Sequence, residues 1–257
     1  IDGSNWSDPW YKWFLNFFTD PYFGRLLKNT FMISGLTILF GFPAPIILAL
    51  MINEVKNSAF KRTVQTITYM PYFISMVVLC GLLKTFCMQD GLFAQIAVLF
   101  GGKAQNYLAN PSYFRTIYVL SDIWSGIGWN SIIYLAALSS IDQEQYEAAR
   151  VDGANRFKQM IHITLPGLVP TIMVLFILRM GNILNVGYEK ILLLYNSATY
   201  STADVISTYT YRLSFGGSGN PMYSKSTAIG LFNTIINVFF LMLTNVISKK
   251  ATDAGLF

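Results

Sequence analysis

Charged side chains make up only 12% of this chain of 257 residues, yet four of its 13 acids, Asp142, Glu144, Glu147 and Asp152, fall close together. They lie in the stretch 139–166, which reads SSIDQEQYEAARVDGANRFKQMIHITLP. It is too polar to cross a membrane and too patterned for a plain loop. Ser139 or Ser140 can cap a helix, and Asp142 and Glu144 suit its first turn, where backbone N–H groups lack partners. Tyr146, Ala149, Arg150 and Gly153 recur at i, i+3, i+4 and i+7, which is one helical face. Gly153 is placed to end the helix in a left-handed turn. Asn155 can cap a second short helix, and Pro166 marks the step into the next long one. The exposed face sets Ala148 and Ala149 beside Glu147, Arg150 and Asp152. Small side chains flanked by charge suit insertion into a groove on another protein. The alternative, a loop lying on the membrane, wants bulky apolar residues opposite Lys and Arg; the first half offers acids and alanines.

Other chemistries find little support. His162 is the only histidine, and no second His or Cys stands near it to build a metal site. Cys80 and Cys87, seven apart on one helix, are separated by about 10.5 Å along its axis, too far for a disulfide. They read as small lipid- or core-facing residues. No G-x-x-x-x-G-K-[ST] occurs; the nearest approach, Gly102-Lys103, has Ala97 and Ala104 where glycine and a hydroxyl belong. A polytopic membrane enzyme, such as a glycosyltransferase, would need clustered acids, a metal triad or a nucleophile at the membrane face. A passive channel would need rings of like charge or a filter run. The acids are scattered apart from the group Asp142 to Asp152 in the stretch 139–166, and no ring of like charge or filter run appears.

The stretch 139–166 must be carried by other elements, and composition says which. Hydrophobic residues make up 53%, aromatic residues 16%, and mean hydropathy is +0.45. Disorder needs the opposite composition, and two cysteines exclude a disulfide scaffold. Stretches free of Asp, Glu, Lys and Arg run over 29–53, 63–83, 123–141, 159–178 and 226–248. Each is about the 20 residues a helix needs to cross a hydrocarbon core of about 30 Å. None alternates as a membrane β-strand would. The fold class is all-α: a polytopic membrane protein with five visible spans.

Orientation follows from the basic residues. The link between the first two stretches, the link 139–166 and the C-terminus hold Lys56, Lys61, Arg62, Arg150, Arg156, Lys158, Lys249 and Lys250. The other side (1–25, 84–111 and 187–225) holds Lys12, Arg25, Lys84, Lys103, Lys190, Arg212 and Lys225 over about twice the length. The first side is cytoplasmic. This bias accounts for the net charge of +5, so nucleic acid is not an expected partner. The chain then starts outside with Ile1, and an odd number of spans implies a preceding cytoplasmic segment and a sixth helix. Residues 1–25 lack a signal-peptide pattern.

Proline and polar residues mark spans that do more than cross. Pro43 and Pro45 interrupt the first stretch, and Pro71 the second; in lipid such breaks survive only where protein or water covers them. The helix of the third reads from Ser121 and Asp122, just ahead of the stretch, through Trp124, Trp129 and Asn130. The fourth is read as continuing past Arg179 through Asn182, Asn185 and Tyr188. Arg179, near the bilayer centre, is costly and should face the bundle interior or a wet cavity, held by carbonyls, by a neighbouring chain or by function.

Glu147-Ala148-Ala149, Asp152-Gly153-Ala154, Ile163 and Leu165-Pro166 together resemble, in residue type and spacing, the EAA loop of ABC importer permeases. The chain is similar throughout to the type I importer transmembrane domain, in which six helices are usual. It is most similar to the carbohydrate-uptake branch, for oligo- and polysaccharides and lipoprotein-linked sugar systems. The fragments carrying this are Leu27-Lys28-Asn29-Thr30, Phe42-Pro43-Ala44-Pro45, residues 69–75 and residues 181–188. The resemblance implies one permease domain over 1–257 with 139–166 as its cytoplasmic coupling loop, in a bacterial cell (inner) membrane. It implies a second permease subunit, a dimer of ATP-binding subunits each gripping one EAA helix, and an extracellular or periplasmic solute-binding protein. ATP and Mg would sit on the ATPase and no cofactor on this chain. Glu147, Ala148, Ala149, Asp152, Gly153 and Ala154 would couple to the ATPase, Glu147 through a basic residue and Gly153 through its sharp turn.

Sugars are held by aromatic faces and by amides and hydroxyls in concave sites. Trp124, Trp129, Asn130, Tyr134, Asn182, Asn185, Tyr188, Asn233 and Asn237 are the candidates for a saccharide. The alternative is that they join helices, as Asn and Tyr often do. The same architecture importing amino acids, peptides or ions remains the rival.

Overall fold

The computed structural model describes residues 9–216, 221–252 and 255–256, and every described element is helical. The expectation of a segment and helix before Ile1 lies outside the described residues. In chain order the helices are α1 (Lys12–Phe18), α2 (Phe23–Leu36), α3 (Pro43–Glu54), α4 (Ser58–Tyr69), α5 (Met76–Cys87), α6 (Leu92–Leu99) and α7 (Pro111–Ser139). There follow α8 (Gln143–Val151), α9 (Arg156–Gln159), α10 (Leu165–Met180), α11 (Tyr188–Leu194), α12 (Tyr200–Ala203), α13 (Ile206–Phe215) and α14 (Tyr223–Thr252).

Four helical runs among the described residues are long and apolar enough to cross a membrane: Phe23–Glu54, Met76–Leu99, Arg156–Met180 and Tyr223–Lys250. These four do not confirm the count of five. The third stretch lies on α7, which is long enough at 29 residues but carries Arg115, Asp122 and many small polar residues. The second stretch, 63–83, is two helices: Pro71 cannot donate, so the backbone tightens into a 3-10 turn over Met70–Phe73. A new helix, α5, starts at Met76, with Ser75 capping the Val78 N–H at 3.4 Å.

The prolines of the first stretch are absorbed rather than disruptive. A π-helical turn over Thr37–Gly41 precedes Pro43, and Phe42 N–H bonds the Thr37 carbonyl at 3.2 Å. The wider turn relieves the clash of each ring with the carbonyl four residues back. The same device, a π turn over Met160–Thr164, stands before Pro166 and joins α9 to α10.

Only 17–22% of each apolar window is buried inside the chain, so most of that surface needs lipid or partner subunits to cover it. The chain divides into two compact units. The first (1–36, 75–119 and 183–238) packs Phe17, Leu26, Ile206 and Ile229 at its core, with Phe23 and Phe232 edge-on around Phe17. The second (37–74, 120–182 and 239–257) packs Ala49, Tyr134, Leu138 and Leu168, with Ile141 and Ile172 against them. Cys80 and Cys87 are buried and free.

Candidate functional site

In the second unit the polar link forms as a capped helix, a turn and a re-entry. Asp142, rather than Ser139 or Ser140, caps α8; its carboxylate accepts the Glu144 N–H at 3.0 Å. The two serine hydroxyls donate instead to Ala136 and Ala137 carbonyls at 2.7 and 2.8 Å, finishing α7. At the far end Gly153 has φ +76°, Ala154 N–H reaches the Ala149 carbonyl at 2.8 Å, and Gly153 N–H reaches that of Arg150 at 3.1 Å. This is the left-handed helix stop the spacing predicts. Asn155 caps α9 through the Lys158 N–H at 2.9 Å. The second short helix is not separate, because it is the first turn of the run Arg156–Met180.

Two ties hold α8 and its turn to the following span: the Tyr146 and Thr164 hydroxyls meet at 2.9 Å, and the Gln159 amide donates to the Ala154 carbonyl at 2.8 Å. Arg156, at the start of that span, reaches Glu54 at the end of α3 at 3.4 Å. Gly167 lets the start of α10 lie against Ile141. Glu147, Ala148, Asp152 and Gly153 are exposed, while Ala149 and Ala154 are half-buried. Two large apolar side chains on the same element escaped the sequence reading: Val151 is 88% exposed and Phe157 64%. Both stand beside the motif, which was the available signal.

The saccharide candidates fall into two groups, one in each unit. In the second unit Trp129 stacks on Tyr72, rings parallel within 4° and 4.7 Å apart, with Phe73 edge-on at 5.7 Å. All three rings, Trp124 and Asn130 are exposed. Gly128 makes this possible, since a Cβ there would strike the Thr68 carbonyl; its absence lets α7 touch the end of α4. Tyr72 and Phe73 are not among the residues the sequence points to, because Pro71 marks a break there without showing that the 3-10 turn over Met70–Phe73 brings both rings to Trp129. Tyr134 does not join the platform. It is 2% exposed within the core, so its hydrophobic body does the packing.

The fourth stretch also ends earlier than expected. Helix α10 stops at Met180 with Gly181 as cap, so Arg179 sits in a last helical turn, where its charge suits the carbonyl end. Asn182 is exposed and donates to the Leu178 carbonyl at 3.1 Å. In the first unit residues 183–187 are non-helical, and side chains satisfy their backbone. The Ser34 hydroxyl donates to the Ile183 carbonyl, Asn237 accepts the Leu184 N–H at 3.0 Å, and Ser207 donates to the Val186 carbonyl at 3.0 Å. Asn237 is therefore a buried structural bond rather than a lining group. Asn185 and Tyr188 are exposed, Tyr188 stacked on Tyr211 at 5.6 Å. Asn233 is half-buried, with a side-chain oxygen that has no partner.

The first unit also holds polar clusters that sequence reasoning did not find. Asp204, its side chain 1% exposed, accepts two bonds from Arg212 at 2.8 Å, one from Thr208 at 2.9 Å and one from Arg25 at 3.3 Å. Asn29 joins it to Arg115 through a 2.8 Å bond. Burial pushes the Arg212 guanidinium down, but its bonds to Asp204 and Tyr195 outweigh that and raise it above its ordinary value. Nearby, Asp20 accepts from Lys225 at 2.7 Å and Tyr209 at 2.5 Å. Burial raises the Asp20 carboxyl, and bonds from Lys225, Tyr209 and the Tyr22 N–H more than reverse this, holding it below 3.8. Burial, then the Asp20 bond, pushes the Tyr209 phenol up.

Apolar spans mostly uncovered by their own chain, together with a capped polar helix between them, define a multi-pass helical membrane protein. Residues 41–253 match the family described as binding-protein-dependent transport system inner membrane component, and the chain belongs to it. It is therefore a transport subunit of the ABC importer class. It is 42% identical to protein LplB of Bacillus subtilis (strain 168), over 98% of this chain and 79% of that one. It is 41% identical to the polygalacturonan/rhamnogalacturonan transport system permease protein YteP of the same organism, over 100% and 79%. It also resembles a chain in a crystal structure of a bacterial alginate ABC transporter in complex with an alginate pentasaccharide-bound periplasmic protein. That match has 46% identity and a TM-score of 0.90, and covers 95% of this chain and 84% of that one. Among the described residues no three His, Cys, Asp or Glu side chains gather as a metal site.

Proposed function

We propose that this chain is one of two permease subunits of a bacterial inner-membrane importer for oligo- or polysaccharides, driven by ATP hydrolysed on a partner. The observation that carries the coupling role is the α8 handle: a helix capped at both ends, presenting Glu147 and Ala148 outward and tied to its span through Tyr146 and Gln159. A body fixed to the start of Arg156–Met180 turns a push on α8 into movement of that span. Glu147, Ala148, Ala149, Asp152, Gly153 and Ala154 form the gripped surface. ATP and Mg belong to the gripping subunits.

For the cargo, the exposed Trp129–Tyr72–Phe73 platform offers flat apolar faces of the kind pyranose rings stack upon. In the same unit Trp124, Asn130 and Asn182 add a ring and amides, and in the first unit Asn185, Tyr188 and Asn233 offer the same chemistry, which suits a cargo with many hydroxyls. Alginate and polygalacturonan, named for the similar structure and for YteP, both carry a carboxylate on their sugar units. An acidic oligosaccharide delivered by an external solute-binding protein is the favoured cargo. Proteoliposomes of the whole transporter, supplied with binding protein and ATP, test this by uptake of labelled oligogalacturonides or alginate oligosaccharides. Wild type accumulates the label. Replacing Asn182 and Asn185 with Ala and Tyr188 with Phe reduces uptake about tenfold or more, as expected when hydrogen bonds to the cargo are removed. Full uptake at normal protein level contradicts the cargo assignment.

A further inference from the structure

The second unit holds an open cleft of about 820 Å³ beside the coupling helix. Its wall is built from Asn53, Glu54 and Lys56 at the end of α3, Tyr146 and Arg150 on α8, and Asn155, Arg156 and Gln159 at the start of the next span. The charge is one-sided. Arg156 is paired with Glu54 at 3.4 Å, while Lys56 and Arg150 have no acidic partner among the described residues. The neutral groups around them include the amides of Asn53, Gln143 and Asn155, which can donate hydrogen bonds, beside apolar Val55 and Leu138. Two cations and several donors around an open space form a receptor for an anion with several oxygens.

Position narrows the source. Glu54 ends one membrane-spanning run and Arg156 begins another, so the cleft opens at the level where span ends meet headgroups. It lies on the side that the basic residues assign to the cytoplasm. Basic pockets between spans at that level suit anionic headgroups, and about fivefold in affinity accompanies each basic group. We propose that this cleft binds the phosphate of an anionic phospholipid, clamping α8 to the end of α3 so that the handle's position depends on the surrounding lipid. The inference rests on the membrane reading and its orientation, and not on the identity of the cargo.

The test uses the intact transporter purified through this chain from vesicles of equal phosphatidylcholine and phosphatidylglycerol. Native mass spectrometry counts the lipid retained. Wild type keeps phosphatidylglycerol in preference to phosphatidylcholine. Lys56→Gln with Arg150→Gln lowers that retention about 30-fold, as the loss of two basic groups implies. The charge-conserving pair Lys56→Arg and Arg150→Lys keeps it. Equilibrium dialysis of the delipidated complex against labelled inorganic phosphate separates the sources. Binding of phosphate alone, lost in the Gln pair, keeps the anion site but overturns its assignment to lipid. Equal retention in wild type and the Gln pair, loss in the charge-conserving pair, or no retention of either anion by wild type overturns the proposal. The same spectra report whether the partner subunits are present, so failure of the importer reading is seen separately.

Discussion

Asp204 has almost no contact with water, and its charge is balanced by Arg212 and Arg25 from positions 8 and 179 residues away. Breaking a buried pair leaves an uncompensated charge, which costs about 3–5 kcal/mol. Arg212→Met is therefore expected to lower the melting temperature of the purified complex sharply, whereas Arg156→Met, on the exposed pair with Glu54, should change stability by less than about 1 kcal/mol. Thermal unfolding followed by intrinsic fluorescence compares the two. Asp20 gives a pH signature. Its folded value lies below the unfolded 3.8, so its contribution is full above 3.8 and is lost as pH falls through the folded value. Asp20→Asn should cost stability at about pH 6 and converge with wild type in strong acid, as linkage requires. A constant difference across that range would contradict the role given to the Lys225 and Tyr209 bonds. None of these pairs was legible in the sequence. Nothing in a local pattern links Asp20 to Lys225, and each cation looks like an ordinary member of a charge count.

At the scale of elements, what the sequence told most reliably was local. Gly153 as a helix stop and Asn155 as a cap depend on a few neighbouring residues, and both stand as expected. The other cap was misplaced because Ser139, Ser140 and Asp142 compete within four positions, and only the end of α7 decides among them. The helix breaks were legible as prolines but not in their consequences. Pro43 and Pro166 each follow a π turn that keeps the helix going, whereas Pro71 ends one. Tyr134 and Asn237 carried the right chemistry for a sugar site, but their burial is a property of packing that one sequence does not display. Two glycines give element-scale predictions. Gly153→Val forces a β-branched residue into φ +76°, a cost of about 1–2 kcal/mol or more, and distorts the turn that fixes the handle. Transport should fall while ATP hydrolysis stimulated by the binding protein persists; wild-type coupling would contradict the lever. Gly128→Leu drives a side chain into the Thr68 carbonyl and should displace Trp129 from Tyr72. Uptake is expected to drop with no change in assembly, read by transport assay and size-exclusion chromatography.

For the whole molecule, the apolar stretches announced a membrane protein, and the family match over residues 41–253 agrees. Length and composition could not say how many spans there are, because α7 mixes polar groups into a helix of sufficient length and 63–83 divides at a proline. In the proposed function the handle on α8 is moved by an ATP-hydrolysing partner. A direct measurement of that is site-specific cross-linking of the purified transporter through Glu147→Cys or Ala148→Cys, the native Cys80 and Cys87 being buried. The account predicts a single cross-linked product joining this chain to a nucleotide-hydrolysing subunit, with a yield that changes between ATP-bound and nucleotide-free states. A transporter that imports its cargo while neither position ever reaches such a subunit would contradict it.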